Sequence, residues 1–399
     1  MPQAVIHVDA SPAAPRFTAL PPLALYIHIP WCMKKCPYCD FNSHEQRQAL
    51  PEARYVDALM ADLESALPSI WGRKFSSVFF GGGTPSLFSP TSIDAILAGV
   101  RARMPVPPMT EVTLEANPGT FEAQKFAEFK SAGINRLSIG IQSFNPAHLK
   151  ALGRVHDDVE AHRAVEIGLA TIGNLNLDLM YALPGQTHDN LLADLRTALS
   201  YAPPHLSYYH LTLEPNTLFA KHPPKLPDDD AAADMQDAIE ATLDAGGYRH
   251  YETSAYAKPG AECHHNRNYW EFGDYLGIGA GAHSKLSFPN RILRQVRVKQ
   301  PQQYLDSIDA GNAMLEEHDV TRGDVGFEFM LNALRLTGGV PAALFQERTG
   351  FPLTLVERAL RDAEAKGLLL RDHQRIAPTE LGQRFLNDLQ QMFLADPTR

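Results

Sequence analysis

The sequence predicts an α/β fold in which six strand–helix units in series form an open, partial (β/α)6 barrel over residues 21–245. Three observations predict it. Short apolar or β-branched segments alternate with longer amphipathic segments. Several amphipathic segments begin at Asp, Asn, Ser or Pro, as helices commonly do. Strands separated by helices pair in parallel, and their right-handed crossovers curl the sheet.

The elements of the barrel are predicted in chain order from this alternation. The predicted strands are LALYIHI (23–29), SVFFGGG (77–83), EVTLEAN (111–117), RLSIGIQ (136–142), LNLDLMYALPG (175–185) and HLSYYHLTLEP (205–215). The predicted helices cover residues 51–67, 89–104, 119–132, 145–172, 187–201 and 228–245.

Three further regions flank the barrel. Residues 1–20 are rich in Ala and Pro without a charged leader and an apolar core, so we predict a flexible N-terminal arm. Residues 246–300 resemble an extension of short strands and glycine turns. Residues 301–399 contain amphipathic helices and the segment LLLRDHQRIAPT, which together predict a mostly helical, winged-helix-like C-terminal domain. Such domains often bind DNA, but this one lacks a basic stripe, which favours a lid or a partner-docking role.

Composition limits the function classes. The 399 residues are 44% hydrophobic and 21% charged, enough for a large core in two or three domains. The net charge of −10 argues against nucleic acid as a partner. No apolar run approaches the ~20 residues that span a bilayer. Four cysteines in a chain of this length are not a disulfide framework, so we predict a cytoplasmic protein.

Three of the cysteines follow the first predicted strand closely. Cys32, Cys36 and Cys39 have the spacing C-x3-C-x2-C. Cysteine thiolates are the usual ligands of iron–sulfur clusters, which normally take four. A [4Fe–4S] cluster with three ligands leaves one iron open for a substrate or cofactor. Structural zinc is the alternative, but a closed zinc site also takes four ligands, and Cys263 lies more than 200 residues away.

Polar or glycine-rich residues follow further strands. GGGTP follows the second strand and lets backbone approach a ligand closely. Glu115, Gln142 and Asp178 lie near the ends of later strands, where ligands gather in such folds. Each of the three, taken alone, is as readily a helix cap or a surface ion pair. Tyr26, before the cysteines, could equally belong to the core of its strand.

The cysteine motif CMKKCPYC resembles the signature of the radical S-adenosylmethionine (SAM) superfamily. YIHIPWC, GGGTPS, SIGIQSF, DLMYALPGQT and the C-terminal region resemble one branch of it, the oxygen-independent coproporphyrinogen III dehydrogenases and the HemW heme chaperones. The resemblance implies a radical SAM barrel, a [4Fe–4S] cluster on Cys32, Cys36 and Cys39, and SAM on the open iron. It further implies that SAM contacts Tyr26, Gly82, Gly83, Thr84, Glu115, Gln142, Arg154 and Asp178.

Two features distinguish the members of this branch. The dehydrogenases continue the cluster motif with a fourth cysteine, where this chain has Phe41. The segment HNRNYW resembles the heme-binding motif H-N-x-x-Y-W of the chaperones, which implies that His265, Tyr269 and Trp270 contact heme. Without the resemblance, a buried turn whose aromatics fill the core explains the segment as well. Cys263 and His264 are adjacent alternatives as heme ligands.

The resemblance therefore implies a heme chaperone with three cofactors, a [4Fe–4S] cluster, SAM and heme. Its implied partners are client hemoproteins, in particular respiratory enzymes at the membrane, and an electron donor if SAM is cleaved. Peripheral contact with the membrane and a homodimer are further expectations. The alternative is a coproporphyrinogen III dehydrogenase that uses a SAM-derived radical, which Phe41 disfavours. Whether the protein is an enzyme stays open at this point.

Overall fold

The structure is a computed structural model that describes residues 14–120 and 123–394. The strands are β1 (Leu23–Ile29), β2 (Trp31–Cys32), β3 (His44–Glu45), β4 (Phe75–Gly82), β5 (Glu111–Ala116), β6 (Arg136–Gln142), β7 (Leu175–Tyr181), β8 (His205–His210), β9 (Arg249–Glu252), β10 (Ala255–Ala257), β11 (Asp274–Ile278), β12 (His283–Phe288), β13 (Arg291–Arg297), β14 (Met314–Asp319), β15 (Val340–Pro341), β16 (Leu369–Arg371) and β17 (Arg375–Pro378). The α-helices are α1 (Glu52–Ala66), α2 (Pro90–Arg103), α3 (Ala123–Ala132), α4 (Pro146–Ala151), α5 (Asp158–Thr171), α6 (His188–Ser200), α7 (Leu218–Lys221), α8 (Asp229–Ala245), α9 (His264–Trp270), α10 (Pro301–Asp309), α11 (Val325–Ala333), α12 (Ala342–Thr349), α13 (Glu357–Ala365), α14 (Glu380–Arg384) and α15 (Leu386–Gln391).

One mixed sheet forms the larger part of the protein, in the order β14-β13-β12-β11-β1-β4-β5-β6-β7-β8-β10-β9. The six predicted barrel strands, β1 and β4 to β8, pair in parallel in chain order. The predicted α/β partial barrel is confirmed. Strands after residue 246 extend both edges of this sheet: β10 is antiparallel to β8, and β11 is parallel to β1.

The two faces of the parallel strands differ in chemistry. Apolar residues such as Leu25, Ile27 and Phe80 form the main hydrophobic core together with Tyr55 and Leu59 of α1. Hydrogen-bonded polar residues occupy alternate positions on neighbouring strands. This polar row is buried and includes Ser77, Ser138, Asn176, His205 and Ser207. Because side chains alternate along a strand, the barrel interior is lined with polar groups while the outer layer is apolar.

The single helix predicted over residues 145–172 is two helices, α4 and α5. Gly153 has φ +67°, a conformation that terminates α4, and its N–H donates to Lys150 O (3.0 Å). Asp157 then caps α5 in a reciprocal capping box with Glu160. The break leaves Arg154 in the intervening turn, facing the carboxyl ends of the strands.

The C-terminal residues form a second unit with its own hydrophobic core, which includes Phe329 and Phe345. Its small sheet has the order β15-β17-β16 and packs with helices α11 to α15. This arrangement confirms the winged-helix-like prediction. Helix α10 instead contacts the barrel, where Arg54 of α1 pairs with Asp306 (3.0 Å).

The predicted flexible arm lies mostly outside the described residues. Residues 1–13 belong to that undescribed part, whereas Arg16 donates its N–H to Gly350 O (2.8 Å) and Phe17 packs on the C-terminal core. Within residues 14–120 and 123–394, no helix is both long and apolar enough to cross a bilayer.

Candidate functional site

The three cysteines of the motif lie on the loop after β1, at a cavity of about 360 Å³. All three thiols are free and partly exposed. Each sulfur has a polar partner: Cys32 accepts from Thr84 Oγ1 (3.6 Å), Cys36 from Arg154 Nη1 (3.5 Å), and Cys39 is hydrogen-bonded to Ser43 Oγ (3.5 Å). Hydrogen bonds to cysteine sulfur are one of the means by which proteins tune iron–sulfur clusters. The donor set therefore suits a cluster with three protein ligands.

The number of cysteines in the loop favours a cluster over structural zinc. A closed zinc site takes four ligands, and the loop supplies three. In a cubane cluster each thiolate binds a different iron, so three thiolates leave one iron open. In the described part of the chain, no three His, Cys, Asp or Glu side chains come close enough together to hold one ion.

The glycine turn after β4 packs directly against the cysteine loop. Thr84 N–H donates to Trp31 O (2.8 Å), one residue before Cys32. A Cβ on Gly83 would lie 2.4 Å from that same oxygen. Gly82 has φ +112°, and a Cβ there would lie 2.5 Å from His28 Cε1. The turn has no room for side chains, so its backbone can approach a ligand beside the cluster.

Two half-buried carboxyl groups, those of Glu115 and Asp178, also lie on the cavity wall. Glu115 Oε2 accepts the N–H of Gly82 (3.2 Å), and burial, with a smaller contribution from the charge of Asp178, raises the Glu115 pKa to about 8. Asp178 accepts from Ser138 Oγ and Asn176 Nδ2, both at 2.8 Å, and burial raises its pKa too. Such groups can accept or share hydrogen bonds with hydroxyls of a ligand.

Arg154 connects the cysteine loop to the ends of the strands. Its Nη2 donates to Gly140 O (2.9 Å) and to Asn117 Oδ1, while its Nη1 contacts Cys36. Gln142, at the end of β6, has φ +68° and also lines the cavity. A half-buried guanidinium beside this space can bind a carboxylate.

The structure brings nearly all predicted cluster and SAM residues to one cavity. They are Cys32, Cys36, Cys39, Gly82, Gly83, Thr84, Glu115, Gln142, Arg154 and Asp178. Tyr26 is the exception, because it lies below the cavity, where its hydroxyl is hydrogen-bonded to His28 Nδ1 (3.1 Å). Sequence reasoning missed Asn117, which donates to Thr84 Oγ1 (2.7 Å). Its place in LEANPG, directly after β5, was the available signal.

Apolar side chains surround the mouth of the cavity. Met33, Phe41 and Val155 line it and are 48%, 65% and 47% exposed. Phe41 occupies the position that is cysteine in the dehydrogenase motif, so the cavity has an exposed aromatic ring there. An apolar rim of this kind suits contact with an apolar ligand or partner.

The HNRNYW segment forms α9, which lies inside the barrel toward the amino ends of the strands. His265 is 1% exposed, and its Nδ1 is hydrogen-bonded to Ser77 Oγ (2.9 Å). Its Nε2 contacts Tyr269 OH (3.3 Å), and its ring stacks on Phe79 with centroids 4.8 Å apart. Burial and then the charge of Arg136 lower the His265 pKa to about 3. Both ring nitrogens of His265 therefore have partners. This is what the alternative interpretation of the segment, a buried turn whose aromatic side chains fill the core, also predicts.

The other end of α9 faces the C-terminal unit. The guanidinium of Arg335 lies over the Trp270 ring, 4.3 Å from its centroid, and Trp270 Nε1 is buried without a hydrogen-bond partner among the described residues. His264, by contrast, is exposed. In this conformation the three predicted heme residues are packed within the protein, and the exposed imidazole is that of His264.

Comparison with known proteins gives consistent matches over the chain. The model of the radical SAM superfamily matches residues 26–198, and that of the HemN C-terminal domain matches residues 320–385. The heme chaperone HemW of Escherichia coli is 48% identical over 380 residues, which cover 94% of this chain and 99% of that protein. HemW of Haemophilus influenzae is 48% identical over 383 residues, with the same coverage. HemW of Bacillus subtilis is 35% identical over 382 residues, 93% of this chain and 99% of that one.

A solved structure shares the architecture. The coproporphyrinogen III oxidase HemN of Escherichia coli, described as a radical SAM enzyme, superposes with a TM-score of 0.79. The alignment covers 94% of this chain and 90% of that one, with 24% sequence identity. At this identity the likeness establishes the fold.

Proposed function

Because this chain belongs to the HemW family of heme chaperones, we propose that it binds heme and transfers it to other hemoproteins. The observation that carries the proposal is 48% identity over nearly the whole length of two HemW proteins. The radical SAM domain brings a [4Fe–4S] cluster and SAM as further cofactors. The transfer is between proteins, so no covalent bond of the porphyrin changes.

We propose that Cys32, Cys36 and Cys39 hold the cluster and leave one iron for SAM. The cluster, when bound, supplies an electron that can cleave the sulfonium of SAM. The support on the protein side is a set of separate sulfur–donor contacts and a cavity beside them. These donors orient the thiolates and disperse their negative charge.

The proposed SAM site follows from the chemistry of the cavity walls. Backbone of Gly82 and Gly83 approaches the methionine end of SAM, and Arg154 meets its carboxylate. Glu115 and Asp178 face the ribose hydroxyls, with which carboxyl groups share hydrogen bonds. Thr84 and Gln142 complete the wall as hydrogen-bonding neighbours, and Tyr26 supports the floor from below through His28.

For heme we propose His265 as the iron ligand, with Tyr269 and Trp270 as the aromatic contacts. Neutral imidazole is a common axial ligand of heme iron, and in the heme-free conformation burial lowers the His265 pKa to about 3, so the ring is neutral before heme binds. Its Nε2 contacts Tyr269 OH at 3.3 Å, a long hydrogen bond that an iron–nitrogen bond would replace.

We further propose that the clients are respiratory hemoproteins at the membrane, which the protein meets from the cytoplasm by peripheral contact. Four free thiols and an oxygen-sensitive type of cluster suit a reducing compartment. An electron donor would be needed if SAM is cleaved, and cluster loading would favour a homodimer.

The domain limits we propose are 1–20, 21–245, 246–300 and 301–399.

The second candidate function is that of a coproporphyrinogen III dehydrogenase, because the chain shares its fold with HemN. Phe41 in place of the fourth motif cysteine, together with the HemW relatives, favours the chaperone. A direct assay incubates reduced protein with SAM and coproporphyrinogen III. Formation of protoporphyrinogen IX would overturn the choice.

The proposed function is tested by anaerobic reconstitution followed by heme titration, with and without SAM. We expect saturable heme binding, loss of that binding in His265→Ala, and no change in the porphyrin. If the cluster-loaded protein binds no heme and His265→Ala behaves identically, the heme assignment is wrong. Measuring SAM consumption in the same samples shows whether SAM is cleaved.

A further inference from the structure

The start of helix α9 is held inside the barrel by the side chain of one buried residue, Glu111. Its carboxylate accepts the backbone N–H of His264 (3.2 Å) and of His265 (3.1 Å), the first two residues of the helix. It also accepts from Cys263 Sγ (3.6 Å). Glu111 is the first residue of β5, so these bonds fix the start of α9 to a barrel strand.

A second set of contacts fixes the imidazole of His265 itself. Ser77 of β4 is hydrogen-bonded to its Nδ1, and the ring packs against the aromatic rings of Phe79 and Tyr26, with centroids 4.8 and 6.3 Å away. Heme is flat, and its central iron must approach Nε2 in the plane of the imidazole ring. With His265 1% exposed and Tyr269 at Nε2, heme cannot reach the nitrogen in this conformation.

Building on the proposed function, we propose that Ser77 and Glu111 are positioning residues that seat α9 in the heme-free protein, and that heme binds through His265 only after α9 leaves this seat. The hydrogen bonds from Ser77 and Glu111 to α9 are called the seat below. The seat and bound heme exclude each other, because both involve His265. Only molecules in which α9 has left the seat can bind heme, so the apparent heme affinity is proportional to their fraction. Weakening the seat raises that fraction and tightens heme binding.

The other end of α9 indicates what it moves with. Trp270 packs with Arg335, and Phe272, two residues past Trp270, belongs to the C-terminal hydrophobic core and lies against Phe329 (5.7 Å between centroids). The segment is therefore attached to the C-terminal unit mainly by ring packing. It is attached to the barrel by the hydrogen bonds of Ser77 and Glu111 and by ring contacts, including that of Tyr269 with Tyr275 (4.4 Å between centroids). When α9 leaves, water can replace the hydrogen bonds on the barrel side, and heme can replace the ring contacts of His265 and Tyr269 there.

The test is heme titration of Ser77→Ala. The substitution removes the partner of His265 Nδ1 and leaves that nitrogen unsatisfied only while α9 is seated. We expect heme to bind on the order of tenfold tighter than in the wild-type protein, the effect of one buried hydrogen bond. The absorption spectrum of the bound heme stays that of the wild-type complex, because the iron ligand is the same.

Ser76→Ala is the matched control. Ser76 is the preceding residue of the same strand, and its hydroxyl donates to Leu23 O (3.0 Å), away from α9. We expect wild-type heme affinity for this variant. If Ser77 had only a structural role, its substitution would lower heme affinity or leave it unchanged. An increase in heme affinity therefore distinguishes the proposed role from a structural one.

Hydrogen exchange gives an independent readout. The His264 and His265 amides, bonded to Glu111, are expected to be protected without heme and to lose protection when heme binds. If Ser77→Ala binds heme no tighter than wild type, or these amides stay protected in the complex, the proposal that α9 must leave its seat is wrong. Loss of heme binding in His264→Ala but not in His265→Ala would also overturn it. Failure of the wild-type protein and both serine variants to bind heme would instead contradict the proposed function, and the inference with it.

Discussion

Gly83→Ala is predicted to disrupt the cluster and SAM site through a steric conflict with the cysteine loop. The new Cβ would lie 2.4 Å from Trp31 O and 2.7 Å from Trp31 C, whereas ordinary contacts begin near 3.4 Å. The loop backbone must therefore move by about 1 Å, directly before Cys32. This movement also stretches the 2.8 Å bond from Thr84 N–H to Trp31 O.

The expected cost is about 1–3 kcal/mol, the usual range for overpacking a rigid site. Since about 1.4 kcal/mol corresponds to tenfold in an equilibrium constant, we expect SAM to bind roughly 5- to 150-fold more weakly. The assay is calorimetric titration of SAM into anaerobically reconstituted protein, with iron and sulfide measured per chain. We also expect lower iron content, because Cys32 is displaced.

Gly119→Ala is the control for this prediction. Gly119 lines the same cavity, but the nearest atom to its new Cβ is Val155 Cγ2 at 4.0 Å. We expect wild-type cluster loading and SAM affinity. If Gly83→Ala loads its cluster and binds SAM as tightly as the control, the packing of the glycine turn on the cysteine loop does not shape the site.

Three further predictions concern other walls of the cavity. In the cofactor-free protein, the contribution of Glu115 to the free energy of unfolding should fall as pH rises from about 5 to 8, because folding holds a proton on Glu115 (pKa about 8 against 4.5) that the unfolded chain releases. In urea denaturation, the stability of the wild-type protein relative to Glu115→Gln should therefore decrease over this range, and a difference that does not change with pH would contradict the raised pKa. Arg154→Lys keeps the charge but loses the planar donor pair, so SAM binding should weaken about tenfold in calorimetry; unchanged affinity would remove Arg154 from the site. Thr84→Val removes the donor to Cys32 Sγ, so the reduction potential of the cluster should fall in a redox titration followed by electron paramagnetic resonance, and an unchanged potential would show that this bond does not tune it.

The barrel could be predicted closely because its signals are local. The strand predicted at 23–29 and β1 (Leu23–Ile29) have the same bounds, and so do the segment 136–142 and β6. The strands predicted at 175–185 and 205–215 end earlier, at Tyr181 and His210. Ala182 after β7 has φ +56°, which no extended strand accommodates, and apolar composition alone does not show such a turn.

The cavity was also predictable, since the carboxyl ends of parallel strands meet at one edge and bring Thr84, Glu115 and Asp178 together. The seat of α9 was not. Glu111 and His265 are 154 positions apart in the chain, and no periodicity connects them. Nor does the pattern of β1 show that Tyr26 lies below the cavity rather than on its wall. Such contacts depend on how distant segments fold into the barrel interior.

The central claim, heme transfer by a cluster-bearing protein, is tested most directly by a delivery assay. The heme-loaded, cluster-loaded protein is mixed anaerobically with an excess of an apo-hemoprotein, the two are separated, and the porphyrin on each is quantified and its mass determined. The account predicts that heme leaves this chain and appears on the acceptor with its mass unchanged. Heme that stays bound, or a porphyrin recovered with altered side chains, would contradict it.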